Sequence, residues 1–191
     1  MEKTTKIVTV IILAVLILLV TFFALRLGDI RSMNDNSNAT EAEKVLLRDL
    51  ATDYPLTVKE VIEYYVEIEK CFYNDKTTDE ELKKLGMRAR ELYDADLLAA
   101  NSEEYNLINL MSDVNAFKEK KRIITSVAVA SSINVDYFEE DGYKFARIGC
   151  SYYIREGNSS NIVKIIYLLR RDDKRRWKIY GWKNAEDVHV E

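Results

Sequence analysis

The hydrophobic period of this chain changes once, near Ile123, and that change limits the possible folds more than any other feature. Upstream, apolar residues recur every three or four positions, as on one face of a helix. Downstream they alternate, as in a strand with one buried face. Helices followed by consecutive strands imply an α+β domain, its helices packed on one face of a curved antiparallel sheet of about four strands.

In the helical part, residues 42–50 suit a short helix, and three longer ones follow. Thr57 and Glu60 form a capping box, hydroxyl and carboxylate satisfying the exposed amides of a helix start. Behind it, Val61, Tyr64, Tyr65, Ile68, Cys71 and Phe72 make one apolar face. Thr78 and Glu81 repeat the box ahead of Leu82, Leu85, Ala89 and Leu92. A third start at Ser102 precedes Leu107, Leu110, Met111, Val114 and Phe117. The basic run at 118–122 suits that helix's end, where the backbone dipole favours cations.

In the strand part, residues 123–137 alternate as one long strand. The turn Glu139-Glu140-Asp141-Gly142 offers Gly142 for a positive φ. Residues 143–155 then place Ala146, Ile148, Cys150, Tyr152 and Ile154 on one face. A third strand at 162–171, apolar on both faces, and a fourth at 177–182 complete the sheet. Trp177 and Trp182, at odd spacing, are expected on opposite faces.

Ahead of the domain, Ile7 opens and Leu25 closes a run without any charge. About 20 such residues in a helix span the hydrocarbon core of a bilayer. The run is longer than the apolar part of a secretion signal, and bulky Phe22, Phe23 and Leu25 leave no small-residue cleavage site. A single-pass transmembrane helix at residues 7–25 is therefore expected in the cell membrane. Residues 1–6 would lie in the cytoplasm and the C-terminal domain outside it, since long domains cross largely regardless of charge. Polar residues 26–41 read as a flexible tether, 42–185 as the domain and 186–191 as a C-terminal tail.

Composition narrows the chemistry. With 28 basic and 32 acidic residues and a net charge of −4, nothing supports nucleic-acid binding. One His and two Cys are too few for the usual zinc sites, and no phosphate loop, metalloprotease or nucleophile-elbow motif occurs, so no cofactor or metal is expected. His189 sits in the tail, where an imidazole is ordinarily solvated. Cys71 and Cys150 both fall on faces expected to be buried. They read either as an extracytoplasmic disulfide tying helix to sheet or as two inert thiols. Asp136 with Tyr152 or Tyr153 makes a candidate ligand pocket, although tyrosines in strands also simply pack. Arg170, Arg171, Arg175 and Arg176 crowd one turn beside Trp177 and Trp182. They are candidate partner contacts or else a solvated hairpin tip.

The strings Tyr54-Pro55-Leu56-Thr57, Glu67-Ile68-Glu69-Lys70-Cys71-Phe72-Tyr73-Asn74, Val129-Ala130-Ser131-Ser132 and Arg175-Arg176-Trp177-Lys178-Ile179-Tyr180-Gly181-Trp182-Lys183 carry a resemblance. The chain resembles an uncharacterised family of membrane-anchored proteins from Gram-positive clostridia. Its order of elements looks like the nuclear-transport-factor-2-like (cystatin-like) fold. The resemblance implies a cone-shaped extracytoplasmic domain and brings no catalytic residues. The leading expectation is a non-enzymatic, membrane-tethered interaction domain that meets an envelope protein or dimerises through its sheet. The alternative is a small-ligand-binding module that uses the cavity between helices and sheet. An isomerase or dehydratase is the more distant reading.

Overall fold

A computed structural model describes residues 39–74 and 76–185. Among the described residues five helices come first: α1 Glu41–Leu46, α2 Val58–Asn74, α3 Asp79–Arg90, α4 Ala95–Ala100 and α5 Glu103–Glu119. Five strands follow: β1 Arg122–Val129, β2 Asp136–Glu140, β3 Tyr143–Glu156, β4 Ser159–Arg171 and β5 Trp177–Asn184. The domain is α+β, as the change of period requires. The expected anchor, residues 7–25, lies outside the described residues, as do the tail at 186–191 and most of the tether. Among the described residues no helix is long and apolar enough to cross a membrane.

The helix starts form as their side chains dictate. Thr57 accepts from the Glu60 amide at 3.2 Å, while the Glu60 carboxylate accepts from the Thr57 amide at 3.0 Å. The same reciprocal box closes α3 at Thr78 and Glu81. Ser102 caps α5 by accepting from the Tyr105 amide. The α2 stripe is buried throughout, from Val61 to Phe72, as is the α3 stripe through Leu92. In α5, however, only Val114 is fully buried, and Leu110, Met111 and Phe117 pack at the margin of the core. α3 and α5 approach closely at Gly86, where a Cβ would come within 2.9 Å of Leu107 and Leu110. The short α4, which no strong apolar period announces, is started by the Asp94 carboxylate.

All sheet pairings among the named strands are antiparallel, in the order β1-β3-β4-β5, with β2 also on β3. The single long first strand expected from alternation is broken in two. A 3-10 turn at Ser132–Asn134 separates β1, paired with the C-terminal half of β3, from β2, paired with its start. Alternation alone cannot reveal the break, because the side-chain pattern resumes beyond it. Asp141 and Gly142, at φ of 50° and 80°, form the tight β2–β3 turn, both in the left-handed region that such hairpins demand. β4 starts earlier than expected, and its first part is not buried: Ile162 and Val163 are exposed.

A β-bulge overturns the expectation for the two tryptophans. Leu169 pairs with Ile179 but Leu168 with Gly181, so Tyr180 is an extra residue in β5. The slip returns Trp182, opposite Tyr167, to the face that already holds Trp177 and Ile179. Both indoles therefore lie on the helix-facing side of the sheet. At the outer edge of β5, Tyr93 forms a parallel bridge with Ile179, which fixes the approach to α4.

Candidate functional site

Between helices and sheet lies a cavity of about 480 Å³. α2 contributes Tyr65 and Glu69, which one helical turn places on the same face. Tyr93 follows α3, α5 adds Asn109 and Asp113, and the bulge in β5 presents Trp182. The centroids of Tyr65, Tyr93 and Trp182 lie 5.9–6.3 Å apart, one aromatic wall. The hydroxyls of Tyr65 and Tyr93 share a hydrogen bond of 3.1 Å.

Glu69 is the chemical centre of this wall. The Tyr152 hydroxyl donates to its Oε2, and the Tyr167 hydroxyl lies 3.4 Å from the same oxygen and 2.6 Å from that of Tyr152. Burial pushes the Glu69 carboxyl up to about 7, and these two hydroxyls offset only part of that rise. Among the described residues no basic side chain forms an ion pair with it. Burial drives Tyr152 and Tyr167 far above the ordinary phenol range, with the neighbouring carboxylate adding to the rise. Both hydroxyls therefore remain protonated donors. Tyr152→Phe is expected to cost about 1.5–3 kcal/mol at pH 8, where Glu69 is charged, and less at pH 5, where it is protonated. Thermal melts at the two pH values check this; an equal loss at both would remove the charge-assisted bond.

The profile of a family described as a domain of unknown function, DUF6715, matches residues 1–182. The chain belongs to this family. No curated protein matches it.

In this DUF6715 domain, the residues singled out in sequence are dispersed. Of the candidate pocket set, Tyr152 reaches the interior. Tyr153, its neighbour in β3, points the other way and is 39% exposed. Asp136 is exposed and pairs with Arg147 at 3.1 Å, so it does not meet Tyr152. The sequence alone does not single out Glu69, Tyr65, Tyr93 or Tyr167 as site residues. The available signal was a carboxylate four positions after Tyr65 within an apolar stripe.

The cation-rich turn is largely occupied internally. Arg170 grips Asp94 through two nitrogens, at 2.5 and 3.0 Å, and reaches Asp96 at 2.8 Å. Arg176 pairs with Asp172 and covers the Tyr54 ring, while Arg171 lies over Trp177. Trp177 is buried. Trp182, 47% exposed, belongs to the cavity wall. Arg175 is exposed, in the left-handed region at φ 64°.

Cys71 on α2 and Cys150 on β3 are buried and unbridged in this structure. Burial raises the Cys150 thiol to about 12, which makes it a poor nucleophile. Both thiols are expected to resist alkylation in the native chain and to take two labels after denaturation without reductant. An unlabelled denatured mass would instead establish the bridge. Among the described residues no group of three or more His, Cys, Asp or Glu is placed to hold a metal ion.

Proposed function

We propose that the domain is a small-ligand-binding module whose ligand occupies the cavity between helices and sheet, held outside the cell membrane by the uncharged run at residues 7–25. One observation carries this reading. The cavity combines aromatic walls with a half-buried carboxylate that has tyrosine hydroxyls and, among the described residues, no cation against it. The element order, helices before a bent antiparallel sheet with its cavity under the helices, supports a nuclear-transport-factor-2-like cone.

The test compares the native and denatured masses of the full-length chain, released from mild detergent. A discrete adduct that disappears on denaturation is expected. It should also disappear in Asn109→Trp, which places an indole in the cavity lining. An adduct unaffected by Asn109→Trp, or no adduct together with no stabilising compound in a thermal screen, overturns the reading.

A second reading, an interaction domain working through the outer sheet face, is favoured by Tyr153 and Ile162. These cross-strand partners are both exposed, at 39% and 52%. A discrete homodimer that Tyr153→Lys abolishes would support it, whereas a monomer unaffected by that change and without a cross-linked envelope protein would oppose it.

A further inference from the structure

The charge of the cavity restricts what can enter it. Glu69 and Asp113 are the charged residues in its lining, and no Lys, Arg or His joins them among the described residues. The remaining polar positions are neutral, among them Asn106 and Asn109, whose amide oxygens accept hydrogen bonds. An anion would meet two carboxylates without a counter-charge. Above about pH 7, where Glu69 is charged, a neutral ligand would leave that charge uncompensated at the cavity wall. A cation answers both carboxylates, and the faces of Tyr93 and Trp182 carry the negative side of the ring quadrupole.

We propose that the ligand of this cavity is a small organic cation, an alkylammonium group seated against Trp182 and Tyr93 with Glu69 and Asp113 as its counter-charges. The proposal rests on the ligand-binding reading above and adds the chemical class. Recognition needs no covalent step. The aromatic wall supplies a surface that a water-stripped ammonium tolerates, and the half-buried carboxylate strengthens attraction beyond what an exposed acid would give. Trp182 reaches this wall only because of the bulge at Tyr180, so the indole's place in the site follows from the register slip.

The test uses the full-length chain in a maltoside detergent, which carries no ammonium group. Calorimetric titrations compare choline and n-butylammonium with the neutral isostere 3,3-dimethyl-1-butanol and with butyrate. At least one cation is expected to bind about tenfold or more tightly than the neutral isostere, with no binding of butyrate. That preference should shrink several-fold in Glu69→Gln and in the milder Asp113→Asn, and Trp182→Leu should weaken every cation. Should Glu69→Gln misfold, Asp113→Asn and Trp182→Leu still decide the matter. Equal or tighter binding of the alcohol or butyrate overturns the cation assignment and leaves the ligand-binding reading standing. Silence from all four probes also overturns the cation assignment. The two ideas fall together only if the ligand-binding reading also fails its own test by native mass, Asn109→Trp and thermal screen.

Discussion

Arg170→Ala is expected to destabilise the folded domain by about 3–5 kcal/mol, the scale of breaking a buried ion pair from one side. Asp94 is buried and Arg170 partly buried, with side chains 5% and 15% exposed, and the two are joined by a two-pronged contact. The Asp94 carboxylate also starts α4 by accepting from the Asp96 amide at 2.9 Å, and its own amide donates to Ile179 at 2.8 Å. Removing Arg170 thus strands a buried charge at the junction of α4 with the edge of β5. The rings of Tyr143 and Tyr180, 4.9 and 4.8 Å from the guanidinium carbon, lose their cation at the same time. Near-UV circular dichroism melts should fall by roughly 10 °C. Pairing Arg170→Leu with Asp94→Asn should recover much of the loss, because no charge is then stranded. A fall below about 1 kcal/mol for Arg170→Ala would mean that the pair behaves as a surface ion pair.

Arg170 also shows where sequence reading stops. In the chain it is one cation of a basic turn, and a basic turn reads as exposed. Nothing local announces that Asp94, far away in sequence, will face it. What was legible is local: both capping boxes, the stripes on α2 and α3, the Asp141-Gly142 turn and the inward face of β3. These follow from a few adjacent residues and the periods of helix and strand. What was not legible depends on pairing between distant segments. The bulge at Tyr180 exists only in the register of β5 against β4, and it alone decides on which face Trp182 lies. The break between β1 and β2 is visible only against β3. The candidate site is of the same kind, since Glu69 meets Tyr152 and Tyr167 from another layer of the fold. Tyr152 is legible because its strand alternates cleanly; the carboxylate it serves lies within a stripe that reads as packing.

Glu69→Gln is expected to make the domain more stable at pH 8, by about 1–3 kcal/mol. The sign follows from the direction of the shift. The Glu69 carboxyl stands at about 7 in the folded domain against 4.5 for the ordinary side chain, so the folded state holds the proton more tightly. Its favourable contribution is complete below about 4.5 and is lost as pH rises through 7; above that, the fold carries the cost of a buried charge. The groups that face Glu69 do not blur this window. Tyr65 and Tyr73 beside it on α2, and Tyr93 after α3, are raised by burial above the phenol range. Tyr152 and Cys150 from β3 and Tyr167 from β4 are raised as well. Asp113 faces the cavity from α5, and Asp113→Asn serves as the control for that second carboxylate. Melts from pH 4.5 to 8 should therefore show a fall in wild-type stability that Glu69→Gln removes and Asp113→Asn keeps. Parallel curves for wild type and Glu69→Gln would place Glu69 in water and deprive the cavity of its desolvated charge. The expected curves bear on function because an amide at this position could still accept from Tyr152 and Tyr167 while avoiding the desolvation of a carboxylate. A side chain that weakens the fold at neutral pH, where its neutral isostere would not, follows the trade between stability and activity found at binding sites. An alkylammonium ligand would supply the missing counter-charge, so saturating choline should flatten the wild-type curve above pH 7 and leave that of Glu69→Gln nearly unchanged.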